Sequence, residues 1–521
     1  MTSLSQANEQ FALRDHWKCL SAVFLVSISS FQYGLDFGII GGLQAMVGFL
    51  KVFGEEAPDT PLGYNLSAVR QQLISSLMIL GAFIASSTAG FTARFFGRKI
   101  SLWLACVLVF VSTAMMQAST SIGALYAGRT IIGIGNGLLM THAQLYIHET
   151  TPARYRGLAI GSFNIWTSVG SLVGTVIDNF TQKDHSKQAY ILSLGLVHIL
   201  PGVLCFGLFL IPESPRWLLS KGKEAEAEKA LNWLRPRGFP VKEEFEQMQA
   251  GLEAERLINS NVGFMDVFRN PVDRRRTLLS IAAITSQAAS GSMFMISYGT
   301  YFFAMAGIGD PFANSCILSS CGVVAIILNA IIITRYGRRR VFLMTGLVIC
   351  GICQLIVACV YNAAPGTAQT GKVIVGISII YIVSYNGGIN TYAWVAGGEF
   401  PSQQLRSYTF GLATAVGFAG AWLTSFTAPY FINPDALNWG PKYGFIWMPS
   451  CLFTAIWMYF YFPETMNRTL EEIDELFEAK VPARKFRKYQ CTGPLARVHD
   501  EKVSSGDEKV RVEEEVESTS A

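Results

Sequence analysis

The sequence carries little charge for its length, and this scarcity argues against a soluble protein. Of the 521 residues, 15% are charged and 51% are hydrophobic, whereas a soluble protein of ordinary composition has about 25% charged residues. Acidic and basic residues nearly balance, at 37 against 41, so a nucleic-acid partner is not indicated. The sequence shows no metal-ligand cluster, nucleophile triad or phosphate-binding loop, which argues against an enzyme and against any cofactor. The polar N-terminus, followed by an apolar block too long for a cleavable signal, argues against a signal peptide.

Cysteines are present, but their placement argues against a disulfide framework. Most of the ten cysteines fall within apolar stretches. Cys350 and Cys353 have the spacing of a redox or metal pair, yet they lie within an apolar helical pattern, where packing is the better interpretation.

Long hydrophobic runs are what the chain has in place of charge. Apolar blocks of about twenty residues, the length that crosses about 30 Å of hydrocarbon as a helix, predict an all-α membrane protein. The predicted spans cover 17–50, 69–95, 100–118, 122–147, 157–179, 190–211, 277–305, 312–334, 340–361, 372–396, 407–430 and 443–462. Several spans are rich in Gly, Ser, Thr and Ala, which allows helix backbones to approach closely in lipid.

Charged signatures occur twice, at corresponding places in two hydrophobic halves. The stretch Arg-Phe-Phe-Gly-Arg-Lys at 94–99 is echoed by Arg-Tyr-Gly-Arg-Arg-Arg at 335–340, and a Glu-x6-Arg spacing and a Pro-Glu pair also recur. This recurrence is typical of the duplicated membrane bundles of secondary transporters. We therefore predict a six-helix bundle at 17–211, a cytoplasmic loop with short helices at 212–276, and a second six-helix bundle at 277–462.

Lysine and arginine concentrate in the loops on one side of the predicted spans, which the positive-inside rule assigns to the cytoplasm. Both flanking segments, 1–16 and 463–521, are therefore expected to be cytoplasmic. The second is polar and rich in charge, so we expect disorder from about residue 492. The opposite loops contain Asn65-Leu-Ser and Asn179-Phe-Thr, so Asn65 and Asn179 are predicted glycosylation sites.

Signatures after the sixth and twelfth spans carry a family resemblance. With Pro-Glu-Ser-Pro-Arg-Trp-Leu at 212–218 and Pro-Glu-Thr at 463–465, the chain resembles the sugar porters of the major facilitator superfamily. It is most similar to the fungal α-glucoside, or maltose-type, permeases in the span-seven stretch 287–302 and in Asn-Trp-Gly-Pro-Lys-Tyr-Gly at 438–444. The resemblance implies the major facilitator fold, with 12 transmembrane helices in two pseudo-symmetric six-helix bundles and cytoplasmic helices between them. We expect an integral, multi-pass protein of the plasma membrane.

Asp36 lies within the first predicted span, in the apolar stretch Gly-Leu-Asp-Phe-Gly. A charge at bilayer depth costs about 2.5–3.5 kcal/mol on insertion scales, so this carboxylate needs a partner or a proton. Arg129, at the start of the fourth span, is the candidate partner. Proton-coupled sugar porters carry this Asp paired with this Arg, so the resemblance implies proton coupling through Asp36 and Arg129. The alternative is an ion pair that joins two spans without turning over.

Charged residues at the cytoplasmic span ends are also explained by the resemblance. In sugar porters such residues form an ion network that holds the outward-open state and breaks on inward opening. The resemblance assigns to this gating network Arg98, Glu149, Arg156, Arg338, Glu399 and Arg406. The alternative, positive-inside topology alone, explains the arginines but not the repeated Glu-x6-Arg spacing. The family's acidic residue before the second arginine motif is Thr334 here, so that link is expected to be missing.

Amide, hydroxyl and aromatic side chains of spans five, seven and ten form the predicted substrate site. By resemblance, the substrate-binding residues are Asn164, Gln287, Tyr298, Tyr301 and Trp394. Ala288, Met293 and Gly417 stand where hexose carriers have polar residues, so a wider and less polar pocket is expected. Such a pocket suits a disaccharide or a bulkier, less polar solute. For Gln287 and Trp394 the alternatives are a bridge between helices and core packing.

Three functions are compatible with these features. The leading hypothesis is a secondary active transporter that imports a sugar with protons by alternating access, the sugar being an α-glucoside, another oligosaccharide or a hexose. Its expected partners are a small sugar, protons and the lipid bilayer. The second hypothesis is efflux or transport of a hydrophobic metabolite on the same scaffold, which the lost pocket amides favour. The third is a non-transporting sugar sensor, which the short polar tail disfavours.

Overall fold

The computed structural model describes residues 11–259, 263–402, 404–466, 468 and 470–489. These residues are almost entirely helical, and the strands among them, Glu55–Glu56 and Tyr64–Asn65, form one short antiparallel pair. The all-α class predicted from the hydrophobic runs is therefore confirmed. The tail for which we predicted disorder, from about residue 492, lies outside the described residues.

The first half of the chain forms spans 1 to 6. They are span 1 (Trp17–Leu43), spans 2 and 3 (together Ala68–Ala118), span 4 (Ile122–Thr150), span 5 (Ala153–Thr181) and span 6 (Gln188–Val197 and Ile199–Leu210). A short helix, Val47–Phe53, follows span 1. The 51 residues that form spans 2 and 3 would measure about 77 Å as one straight helix, but the chain reverses at Gly97, whose φ is 85°. Glycine adopts this φ at no steric cost.

The second half forms spans 7 to 12, two of which are interrupted. They are span 7 (Pro271–Ala289 and Ser292–Met305), span 8 (Pro311–Tyr336), span 9 (Arg339–Ala363), span 10 (Ala368–Ser384, Tyr385–Asn390 and Thr391–Glu399), span 11 (Arg406–Ile432) and span 12 (Gly444–Tyr461). Span 7 breaks at Gly291, which has a φ of 77°. Span 10 contains a π-helical turn over Tyr385–Asn390, an irregularity that is frequent at functional sites.

Eight helical stretches of the described chain are long and apolar enough to cross a membrane by length and composition. One of them is the stretch that contains both span 2 and span 3. The remaining predicted crossings, spans 4, 5 and 12, are helices as well. Spans 4 and 5 contain polar residues such as Arg129, Asn136 and Asn164, which lower the mean hydropathy of these two helices. Arg129 and Asn136 are buried in the protein interior, so they are not exposed to lipid.

Glycines set how closely spans 1 and 5 pack. A Cβ at Gly34 would lie 1.9 Å from the carbonyl oxygen of Thr167, and one at Gly170 would lie 2.1 Å from that of Phe31. No side chain fits at such separations, so the two backbones are in direct contact. Because one face of span 1 is occupied in this way, Asp36 on the other side of the helix points toward span 4.

The two halves contact each other through equivalent pairs of spans. Span 2 packs on span 11 and span 5 packs on span 8, while span 1 contacts span 7. Spans 2 and 5 of the first half correspond in order to spans 8 and 11 of the second, so the first two contacts are exchanged by a pseudo-two-fold axis. This is the arrangement expected for inverted or parallel repeats that rock against each other.

Short helices outside the bundles attach to one end of each half. Those of the central loop are Pro215–Ser220, Glu224–Leu234, Val241–Asn259 and Asp266–Arg269, and a further helix, Leu470–Glu478, follows span 12. Arg235 donates to Glu244 at 2.6 and 2.7 Å and to the carbonyl oxygen of Thr150 at 2.9 Å, which ties the loop to span 4. Arg276 at the start of span 7 pairs with Asp474 of the last helix.

Candidate functional site

The two ends of the bundle differ in their polar groups, and we name them accordingly. The basic end carries the arginine-rich turns at 94–99 and 335–340 and the segments 149–156 and 399–406. The opposite end, called the Asn65 end, carries the loop between spans 1 and 2 and the loop between spans 11 and 12.

A buried ion pair joins spans 1 and 4. Arg129 Nη1 donates to Asp36 Oδ1 and Oδ2 at 3.0 and 3.2 Å, and both side chains are at most 2% exposed. Arg129 Nε donates to the carbonyl oxygen of Ile74 in span 2 at 2.9 Å. The structure thus brings together the two residues that we assigned to proton coupling. The guanidinium offsets part of the cost of burying a carboxylate, and a proton on the carboxylate would remove the attraction between the two groups.

Two predicted substrate residues, Gln287 and Trp394, lie next to the irregular parts of spans 7 and 10. Gln287 lies just before the break of span 7, and its Nε2 donates to the carbonyl oxygen of Asn390 at 3.3 Å. Asn390 ends the π-helical turn of span 10, and Trp394 follows one helical turn later. Trp394 is half-buried, with its ring centroid 6.2 Å from that of Phe410 in span 11. Gln287 therefore contacts the residue that lies four positions before Trp394. Asn164 is half-buried in span 5.

The two predicted substrate tyrosines are occupied by other contacts. Tyr298 is fully buried, and its hydroxyl donates to the carbonyl oxygen of Ser425 in span 11 at 2.7 Å. Tyr301 is also fully buried, and its hydroxyl donates to Asn65 Oδ1 at 2.8 Å. In this arrangement Tyr301 joins the two halves at the Asn65 end.

A cluster of buried amides closes the Asn65 end. Asn433 Nδ2 donates to the carbonyl oxygen of Leu66 at 2.7 Å and to Gln71 Oε1 at 3.0 Å. Asn65 Nδ2 donates to Asn433 Oδ1 and to Asp435 Oδ2, both at 3.0 Å. We call Asn65, Gln71, Tyr301, Asn433 and Asp435 the Asn433 clasp. Sequence reasoning missed Gln71, Asn433 and Asp435, because no spacing or motif relates residues so far apart in the chain.

The structure contradicts the prediction of a glycan at Asn65. This side chain is 2% exposed, and both its amide nitrogen and its oxygen are hydrogen-bonded within the clasp. A glycan on Nδ2 would have to occupy the interface between the halves. Asn179 is half-buried in the last turn of span 5, and glycosylation there stays a prediction.

At the basic end of the first half, Glu149 and Glu213 organise the turn between spans 2 and 3. Arg98 Nη2 and Ser214 Oγ each donate to Glu149 at 2.5 Å. The main-chain N–H groups of Arg98 and Lys99 donate to Glu213 at 3.1 to 3.3 Å. The structure brings Arg98 and Glu149 together in this network. Glu213 belongs to the repeated Pro-Glu signature, but its role was not predicted.

The second half repeats this network with equivalent residues. Arg339 Nη2 and Thr465 Oγ1 donate to Glu399 at 2.8 and 2.6 Å. The main-chain N–H groups of Arg339 and Arg340 donate to Glu464 at 2.9 and 3.2 Å. Arg98 and Glu149 thus correspond to Arg339 and Glu399.

The network residue of the second arginine motif is therefore Arg339, whereas we had assigned Arg338. Arg338 is exposed and lies immediately before the first residue of span 9. The two motifs correspond from their first arginines, Arg94 and Arg335, each followed four positions later by the arginine that pairs with a glutamate. Arg338 consequently occupies the place of Gly97.

The repeated Glu-x6-Arg spacing contributes two further arginines to the predicted gating network, Arg156 and Arg406. The side chain of Arg156 lies outside the described residues. Arg406 begins span 11, and its Nε and Nη2 are buried without a hydrogen-bond partner in the described part of the chain. The structure therefore does not bring Arg406 into an ion pair with Glu399.

Burial changes the proton affinity of the two signature glutamates outside the spans. Desolvation raises the pKa of Glu213, and the N–H donors of Ser214, Lys99 and Arg98 oppose this increase. Desolvation likewise raises the pKa of Glu464, against the N–H groups of Met466, Arg339 and Arg340. In both halves, therefore, a carboxylate is held at a turn by main-chain donors at some cost in solvation.

The fold and these contacts define a class of protein. Two related six-helix halves, a buried carboxylate–guanidinium pair in one half, and a polar closure between the halves at one end are the features of a secondary transporter. Residues 22–477 match the family described as "Sugar (and other) transporter". The chain belongs to this sugar porter family of the major facilitator superfamily. Its members are integral, multi-pass membrane transporters rather than enzymes.

Characterised relatives and solved structures agree with this assignment. The chain is 28% identical over 493 residues to the major facilitator-type transporter ecdD of Aspergillus rugulosus, covering 92% of this chain and 90% of that protein. It is 28% identical over 514 residues to the alpha-glucosides permease MPH3 of Saccharomyces cerevisiae, covering 96% and 84%. A partially occluded inward-open structure of the xylose transporter XylE from E. coli superposes with a TM-score of 0.71 at 18% identity, covering 87% and 99%. That similarity shows the fold.

Proposed function

We propose that this protein imports a sugar, an α-glucoside or a related oligosaccharide, together with protons by alternating access. The observation that carries the proposal is the buried Asp36–Arg129 pair, because its carboxylate can be neutralised either by the guanidinium or by a proton. The similarity to an alpha-glucosides permease over 96% of the chain supports the substrate class. The lysine and arginine content of the basic end supports a cytoplasmic location for that end and for both termini. We propose the plasma membrane as the site of action.

The contacts between the halves suggest which side is closed. Among the described residues, the hydrogen bonds that cross between the halves lie at the Asn65 end: those of the clasp, Gln44 Nε2 to the Ser297 carbonyl oxygen at 3.4 Å, and Cys316 Sγ to the Thr175 carbonyl oxygen at 3.3 Å. The two arginine–glutamate networks at the basic end each stay within one half. We infer a state in which the halves 17–211 and 277–462 are closed toward the outside.

The proposed sugar site lies between the halves, on the irregular parts of spans 7 and 10. Gln287 supplies an amide for a sugar hydroxyl, and Trp394 supplies an aromatic face. Asn164 approaches from span 5 of the first half, and Tyr298 lies further toward the Asn65 end. We assign Tyr301 to closure of the site because its hydroxyl already binds the first half.

The test is uptake of radiolabelled maltose, sucrose and glucose into yeast that lacks its own transporters, with and without an uncoupler. We expect uncoupler-sensitive accumulation by the wild type. The Asp36→Asn variant keeps the shape of the side chain but cannot carry a proton, so it should lose accumulation while retaining exchange of labelled for unlabelled sugar.

A matched control is the Asp178→Asn variant. Asp178 is also a buried carboxylate of the first half, but in the described part of the chain it forms no ion pair with an arginine or lysine that could replace a proton. It should therefore transport as the wild type does. Uncoupler-sensitive accumulation that persists undiminished in the Asp36→Asn variant would refute the coupling role of Asp36. No sugar uptake by protein shown to be at the cell surface would refute the importer and favour transport of a less polar metabolite.

A further inference from the structure

Three buried polar side chains of spans 1 and 4 have no hydrogen-bond partner among the described residues. They are Gln32, through both Nε2 and Oε1, Asn136, through both Nδ2 and Oδ1, and Ser29, through Oγ. Each is at most 1% exposed. A buried polar atom without a partner costs about 1–3 kcal/mol, so five such atoms in neighbouring helices indicate that something polar lies between them.

Helical periodicity places these groups next to the ion pair. Ser29, Gln32 and Asp36 have the spacing i, i+3, i+7 and therefore share one face of span 1. Arg129 and Asn136 have the spacing i, i+7 and share one face of span 4. Spans 1 and 4 run antiparallel and are joined by the Asp36–Arg129 pair. Ser29 lies seven residues before Asp36, and Asn136 lies seven residues after Arg129, which is about 10.5 Å along each helix at 1.5 Å per residue. Because the two helices are antiparallel, Ser29 and Asn136 lie at the same level, nearer to the basic end than the ion pair is.

The other faces of both helices are already occupied. Gly34 and Gly38 of span 1 are pressed against the backbone of span 5, while Gly137 of span 4 is pressed against the backbone of span 2 and Gly135 against span 3. The polar faces therefore line a separate region inside the first half. His142 is not part of it, because its ring nitrogens lie 3.1 Å from Thr92 Oγ1 and 3.0 Å from the carbonyl oxygen of Leu138.

We propose that Ser29, Gln32 and Asn136, called here the polar track, bind a chain of water molecules that connects the Asp36–Arg129 pair with the basic end. Buried waters typically form about three hydrogen bonds to groups of this kind, and amide and hydroxyl side chains can both donate and accept. Asp36 and Arg129 are the charged side chains that face the track. Of the proposed sugar-site residues, Gln287 and Trp394 lie on the other half and Asn164 lies on span 5, so none of them belongs to span 1 or span 4.

The track gives the proton a route that does not cross the sugar site. The inference rests on the proposed proton coupling. A proton leaves the carboxyl of Asp36 for the nearest track water as Arg129 pairs again with the carboxylate. Each water then passes one proton along its hydrogen bond, and the last one releases a proton to bulk water at the basic end, so charge and atoms balance at every step.

The first experiment tests the waters directly, and without any substrate. We expect a high-resolution structure of the full chain in lipid to show ordered waters within hydrogen-bond distance of Gln32 and Asn136. The Asn136→Leu variant, which has nearly the same volume but no polar atoms, should lack them. A dry contact between the two side chains in the wild type would overturn the inference whatever the transport data show.

The second experiment tests the proton route in proteoliposomes that contain a pH-sensitive dye and are given a maltose gradient. Gln32→Leu and Asn136→Leu should each lower the initial rate of maltose-driven proton movement at least tenfold, while maltose counterflow stays within twofold of the wild type. Asn136→Ser, which restores a polar group, should recover most of the rate. Ser30→Ala is the matched control, because Ser30 Oγ already donates to the carbonyl oxygen of Ser27 at 2.8 Å.

The outcomes separate this inference from the proposed function. Wild-type counterflow without proton movement would overturn both the coupling proposal and the proton role of the track. Proton movement that is present in the wild type and unchanged in both leucine variants would overturn the track alone.

Discussion

Among the described residues, Asn433 and Asn65 each form three hydrogen bonds between the halves at the Asn65 end. Asn433 is fully buried and is hydrogen-bonded to three groups of the first half: the carbonyl oxygen of Leu66, Gln71 Oε1 and Asn65 Nδ2. An Asn433→Leu variant keeps the volume of the side chain but removes all three bonds. We expect it to favour opening of the Asn65 end.

The size of the effect follows from the groups left behind. Asn65 Nδ2 retains its bond to Asp435, but the Leu66 carbonyl oxygen and Gln71 Oε1 lose the partner described here. In the closed state of the variant, two buried acceptors without partners cost about 1–3 kcal/mol each. In the open state water binds to both acceptors, so the cost destabilises the closed state alone. A net change of about 3 kcal/mol shifts the ratio of closed to open molecules roughly 100-fold.

The assay is a distance distribution between spin labels on the two halves. Asp59 and Leu437 are exposed at the Asn65 end, one on each half, and can be labelled as cysteines after Cys359 and Cys491 are replaced. The wild type should give one short distance, and Asn433→Leu should add a longer population that dominates.

Asn314→Leu is the matched control, since Asn314 binds the carbonyl oxygen of Ile308 at 2.9 Å within the second half. It should keep the wild-type distribution. If the folded Asn433→Leu variant also keeps that distribution, the clasp does not hold the halves together, and our reasoning about closure is wrong.

Three further predictions concern the turns and the helix contacts. Arg339→Gln removes the bond to Glu399 and should slow transport about tenfold by weakening a networked, half-buried pair, whereas Arg338→Gln should stay within twofold in the same uptake assay. Burial raises the folded-state pKa of Glu213, so its stabilising contribution is present at low pH and lost as pH rises through that pKa. The Glu213→Gln variant should therefore melt above the wild type at pH 7.5 and equal to it near pH 4.5, and an equal melting temperature at both pH values would contradict this. Gly34→Ala places a methyl group 1.9 Å from a carbonyl oxygen and should destabilise the fold by about 3 kcal/mol or more, whereas Gly161→Ala, which meets nothing within 4 Å, should be neutral or slightly stabilising in thermal melts.

Residues near the repeated motifs show how far local pattern reasoning reaches. The carboxylate of Asp36 could be matched with Arg129 because charges are rare and costly inside apolar spans, which left few candidate partners. The second arginine motif could not be placed in the same way, since Arg338, Arg339 and Arg340 are adjacent and chemically identical. Which of them reaches Glu399 depends on how the turn before span 9 positions the backbone.

The repeated hydrophobic and charged pattern by itself determined the all-α class, the two related halves and the family, because burial in lipid constrains composition at every position of a span. Only the tertiary structure decided which contacts Asn65 and Tyr301 make. Asn65 resembles a glycosylation site and Tyr301 a sugar ligand until the loop after span 11 brings Asn433 against them. Such contacts join residues that are distant in the chain, so they leave no periodicity or spacing in the sequence, and only the packing of the two halves selects them.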